Sequence, residues 1–202
     1  MSAAKPENLK AADRILATAQ ELFYREGARA IGVDEIVQRA GATKPSLYRA
    51  FGSKDQLIAA YLEGERARSM AYFDEAAAEH PGDARAQLLA YFDALGRRAS
   101  RDGYRGCGLS NAAVEYPDPK HPGHKVALAH KTEVRERLRD LARALGARKP
   151  KKLADSLLLL IEGVYVTGQV FGGDGPAKAV RGAAAALIDA HRAEPAGDEP
   201  EA

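Results

Sequence analysis

Residues 32–54, GVDEIVQRAGATKPSLYRAFGSK, constrain this chain more than any other stretch. A helical apolar stripe, Val33, Ile36, Val37 and Ala40, stops at Gly41, and helix-favouring sequence resumes at once around Pro45. A single straight helix gains nothing from a Gly and a Pro so close together. Two short helices meeting at a sharp angle do, because Gly ends the first and Pro suits the opening turn of the second, where its missing N–H is no loss. Proline also biases Lys44 away from helical geometry, so the second helix is read as starting at Lys44, or at Pro45 with Lys44 flanking it.

On a helix turning about 100° per residue, Leu47, Ala50 and Phe51 share one side and pack toward the Val33/Ile36/Val37/Ala40 stripe. The opposite side carries Pro45 and Arg49, edged by Lys44, Tyr48 and Ser46. A two-turn helix with a cationic, hydroxyl-bearing outer face, set behind a Gly turn, is what a helix-turn-helix offers to a major groove.

The flanking sequence agrees. Ile15, Leu16, Ala19, Leu22 and Phe23 form the apolar face of a first helix ended by Gly27, and Ser53 is an N-cap for a long helix that turns Leu57, Ile58, Tyr61 and Leu62 inward. The run from Leu9 to Leu57, with its ILATAQELFYREG, VDEIVQRAG and TKPSLYRAFGSKDQL segments, resembles the N-terminal domain of TetR-type transcriptional regulators. The resemblance implies an all-α protein of about nine helices: a three-helix DNA-binding domain, then a six-helix regulatory and dimerisation domain, acting as a homodimer on a near-palindromic operator. Residue by residue, it implies backbone contacts for Thr43, Lys44, Tyr48 and Lys54, and approach to bases by Pro45, Ser46 and Arg49. Arg49 is the residue suited to a bidentate contact with guanine, and Pro45 to a thymine methyl. Two positions depart from the pattern: Gly32 and Val33 replace the hydroxyl residue that often opens the second helix, and Ala50 stands where His or Tyr is frequent.

Past residue 56 the pattern is helix after helix, with no strand alternation. HPGD at 80–83, RDGYRG at 101–106, YPDPKHPG at 116–123 and GARKP at 146–150 read as loops, and the last two helices as about 150–172 and 176–192. The domain boundaries expected are 1–55 for DNA binding, 56–193 for ligand binding and dimerisation, and 194–202 for a disordered acidic tail. Two features suggest that the last two helices form a four-helix, isologous dimer interface. The first is apolar nearly all round (Leu153, Leu157, Leu160, Ile161, Val164, Tyr165, Gly168, Phe171), and the second carries a small-residue stripe at Ala179, Ala183, Ala186 and Ala190. RGCGLSNAAVEYPDPKHPG resembles a recurring branch of the same family, without naming an effector. Tyr104, Cys107, Asn111, Glu115 and Tyr165 are the polar or edge residues expected at a pocket for an unidentified small molecule.

Charge adds a hint. Up to residue 55 there are nine Lys and Arg against seven Asp and Glu, and beyond it the two signs balance, so the net +2 resides at the motif. Cys107 is the sole cysteine, which excludes an internal disulfide. His121 and His124 are separated by Pro122 and Gly123, read as loop, which argues against a shared metal. No catalytic triad, carboxylate pair or phosphate loop is present, so neither an enzyme nor a bound cofactor is expected. The longest apolar run, 157–161, falls short of a membrane span, and the polar start MSAAKPENLK carries no h-region. A cytoplasmic repressor released by a small effector is the reading that results; the alternative is a helical interaction module without sequence-specific DNA binding.

Overall fold

A computed structural model describes residues 10–192 of the 202-residue chain; the tail expected at 194–202 lies outside them. Nine α-helices occur among the described residues: α1 (Ala11–Glu26), α2 (Val33–Arg39), α3 (Lys44–Phe51), α4 (Lys54–Glu79), α5 (Ala84–Ala99), α6 (Gly108–Glu115), α7 (Pro122–Ala144), α8 (Pro150–Phe171) and α9 (Val180–Ala190). Among the described residues two compact units emerge, one of residues 10–69 with 107–131, the other of 70–106 with 132–192. Neither unit ends at residue 55: the first half of α4 and the segment 107–131 belong with the helix-turn-helix.

In the first unit the stripes read from sequence become core. Ile15, Ala19, Leu22 and Phe23 of α1, Ile36 and Val37 of α2, and Leu57, Ile58, Tyr61 and Leu62 of α4 are all buried. Leu47 is the one fully buried side chain of α3, and burial of such a leucine contributes about 2–3 kcal/mol. Phe23 meets Tyr61 edge-on at 5.7 Å. Gly123 places its Cα where an added Cβ would lie 3.2 Å from Ile58 and Leu62, which seats the start of α7 directly on α4.

The second unit packs α5, α8 and α9 on one another. Its core includes Leu88, Tyr91, Phe92 and Leu95 of α5, Leu153, Leu157 and Ile161 of α8, and Ala184 and Ile188 of α9. Tyr91 stacks on Phe73 at 3.9 Å. Arg85 grips Asp189 through two hydrogen bonds, of 3.2 and 3.0 Å, tying the start of α5 to the end of α9.

Several local expectations need correction. Helix α7 begins at Pro122, so Pro122 and Gly123 form a first helical turn rather than loop; proline is at home there. The final helix starts as a 3-10 turn, Pro176–Ala179, before α9 proper. The 150–174 stretch does reach the length and hydropathy of a membrane-crossing helix, an 18-residue window averaging 1.3, because Val164, Val166, Val170 and Phe171 extend the apolar run beyond Glu162; a core helix passes the same test.

Candidate nucleic-acid interface

Helix α3 starts at Lys44 because Thr43 caps it: Ser46 N donates to Thr43 Oγ1 at 3.4 Å, and the two hydroxyl oxygens lie 2.9 Å apart. Pro45 therefore occupies the second helical position. The turn before it passes through Gly41 at φ +57°, a conformation most residues avoid. Arg14, reaching from α1, donates to the carbonyls of Ala40 and Gly41 at 3.2 and 3.1 Å. That clamp on the end of α2 fixes the angle at which α3 departs.

Thr43, Lys44, Pro45, Tyr48 and Arg49 are exposed, Tyr48 by 48%, while Ser46 and Lys54 are half-buried. The predicted outer face is thus solvent-facing as one continuous surface. Its inner side differs from the helical projection: Ala50 is exposed and Phe51 half-buried. The cause is angular, since at about 100° per residue Phe51 lies about 40° from Leu47 while Ala50 lies about 60° away on the other side. A narrow helix of eight residues has room for one contact line.

Electrostatics separates the cations. Lys44 Nζ sits 2.7 Å from Asp34 Oδ1, and that hydrogen bond holds the ammonium pKa above its ordinary value. Lys54 is pushed the other way by burial, partly countered by Asp55 and Glu115. Among the described residues Arg49 has no carboxylate within salt-bridge distance. It is the cation of this face most available to an acceptor on a ligand.

The residues expected at a small-molecule pocket fall in different units. Tyr104 lies against α8, its Cε1 2.9 Å from where a Cβ on Gly168 would sit, one turn from Tyr165. Cys107, Asn111 and Glu115 belong to the first unit. Cys107 Sγ has Lys131 Nζ at 3.7 Å. Glu115 is directed elsewhere: its carboxylate accepts the Arg29 backbone N–H at 2.7 Å. The histidines are engaged locally, His121 stacking on Tyr116 at 4.1 Å and His124 Nδ1 lying 3.0 Å from Tyr116 O, with His130 fully buried.

Sequence reasoning missed Arg14 and Asp34, and named Glu115 only as a pocket residue rather than as the acceptor of the Arg29 N–H. Arg14 and Asp34 entered only as charges to be counted, and no local signal marks Arg14, because the carbonyls it grips lie 26 and 27 residues away at the end of α2. No local signal marks Glu115, whose partner is 86 residues away.

Comparison with known proteins places this geometry. The family model for bacterial regulatory proteins of the tetR family matches residues 15–61. An uncharacterized HTH-type transcriptional regulator of Mycobacterium tuberculosis H37Rv is 43% identical over 58 residues, a stretch spanning 29% of each chain. A TetR-family transcriptional regulator from Streptomyces coelicolor superposes with a TM-score of 0.80 at 31% identity, covering 89% of this chain and 93% of that one. A TetR-type regulator from Streptomyces avermitilis gives the same TM-score at 30% identity, covering 91% and 98%.

Proposed function

Because this chain belongs to the TetR family of transcriptional regulators, which bind DNA as dimers, we propose that it is a cytoplasmic repressor that sits on a near-palindromic operator and leaves it when a small effector binds. The observation that carries this reading is the exposed face of α3, where Thr43, Lys44, Pro45, Tyr48 and Arg49 stand clear of the protein's own core. In the proposed complex Thr43, Lys44, Tyr48 and Lys54 contact the sugar-phosphate backbone and fix register, while Pro45, Ser46 and Arg49 meet base edges.

The dimer is proposed to form through α8 and α9. Leu159, Val166 and Val170 leave an apolar stripe outside α8, exposed by 73, 60 and 68%. Ala179, Ala183, Ala186 and Ala190 line the outer side of the last helical segment. Small residues allow close helix approach, and a self-complementary apolar patch suits a two-fold axis. Tyr104 and Tyr165, both in the second unit, are proposed as aromatic contacts for the effector. An effector that favours one of two dimer forms needs a coupling of only about 1–3 kcal/mol to release DNA.

Selection of bound duplexes from random DNA by the purified dimer tests the reading. Enrichment of a near-palindrome with steeply salt-dependent affinity is the expected result. Absence of enrichment, with a flat salt response, would favour an interaction module instead.

A further inference from the structure

We infer that Glu115, at the last position of α6, is a positioning residue for DNA binding: it holds the turn that launches the helix-turn-helix. The inference rests on the DNA-binding reading of α3. Glu115 Oε2 accepts the Arg29 N–H at 2.7 Å, and Arg29 Nη1 reaches the Glu115 carbonyl at 3.4 Å. Its other oxygen lies 3.1 Å from where a Cβ on Gly27 would be, at a residue with φ +92°, so the carboxylate rests in a notch that glycine leaves open. The carboxylate thereby touches the first and third residues of the short connection from α1 to α2.

The start of α2 has no side-chain cap. Its N-cap is Gly32, with no side chain to accept a helix N–H. The far end of α2 is fixed by Arg14; the near end follows the turn, which buries Ala28 and Ile31 and is hydrogen-bonded at Arg29 to Glu115. The carboxylate is itself braced. Tyr116, the next residue, stacks on His121, whose Nδ1 accepts the Gly123 N–H at 3.1 Å and whose Nε2 lies 3.4 Å from Asp55 at the start of α4. Gly123 in turn sits on Ile58 and Leu62. A closed circuit of contacts therefore runs from α4 through the 115–123 segment to the α1–α2 turn, and α3 follows wherever α2 is set.

The test compares Glu115→Ala, Glu115→Gln and Glu115→Asp on a duplex selected by the wild-type protein, with amide hydrogen exchange at Arg29, Leu22 and Leu57. Loss of one hydrogen bond to a charged acceptor predicts a weakening of about tenfold or more for the Ala and Asp variants, with Gln within about threefold of wild type because its amide oxygen still accepts. Arg29 should exchange faster in the Ala and Asp variants while Leu22 and Leu57, in the cores of α1 and α4, stay protected. Wild-type affinity in Glu115→Ala, equal losses in Gln and Ala, or unchanged Arg29 exchange would each overturn the inference, as would uniform loss of protection, which marks general destabilisation. A wild-type protein that selects no duplex would sink the DNA-binding reading instead, and the Arg29 exchange comparison, which needs no DNA, would still pass or fail the bond.

Discussion

Lys44 faces a choice between an internal carboxylate and a phosphate. In the free protein Asp34 holds it at 2.7 Å with both side chains largely exposed, so exchanging that partner for DNA costs little desolvation. Two substitutions separate the roles. Lys44→Ala should lower the slope of log affinity against log salt by about 0.9, the value of one phosphate contact on duplex DNA. Asp34→Asn should raise affinity and leave the slope within error, because the lysine is released from competition without any phosphate contact being lost. Titrations over a salt series read both, and an unchanged slope in Lys44→Ala would remove Lys44 from the interface. Most of this face was legible in the sequence, because exposure on a short helix follows from 100° steps; Ala50 was not, because how wide a contact line α3 makes depends on the neighbours it meets.

At the scale of elements, the ends of the early helices were legible for local reasons. Gly27, Gly41 and Ser53 each carry their own signal, and Ser53 Oγ does accept the Gln56 N–H at 3.1 Å. The grouping of 107–131 with the helix-turn-helix was not legible, since it depends on long-range contacts: Gly108 against Tyr61, Gly123 against Ile58, Glu115 on Arg29. Another pairing of this kind is Arg85 with Asp189, joining α5 to α9. Hydrogen bonding to Arg85 holds the Asp189 carboxyl below its ordinary 3.8. A depressed carboxyl contributes stability that is present above the unfolded-state value and is lost as pH falls through the folded-state value. Thermal unfolding of wild type and Asp189→Asn should therefore differ at pH 7, with wild type the more stable, and converge on acidification below about pH 4. A difference that stays constant into acid would show that the pair acts through packing alone.

For the molecule as a whole, the outward side of α8 sets the expected assembly. An apolar stripe of Leu159, Val166 and Val170 is costly to leave in water, and a stable two-fold contact typically covers about 1,200–2,000 Å² in total. Leu159→Glu with Val166→Glu is expected to shift the mass by light scattering from dimer to monomer and to weaken operator binding, because a single recognition helix cannot span two half-sites. A mutant that remains dimeric would move the interface off α8.

Arg49 decides the central claim that the outer face of α3 reads DNA. Replacing it by alanine and repeating both the affinity measurement and the selection from random duplexes should lower affinity by about 1–3 kcal/mol per bidentate contact and relax the preference at one base pair in each half-site. Unaltered affinity together with an unaltered selected sequence would contradict it.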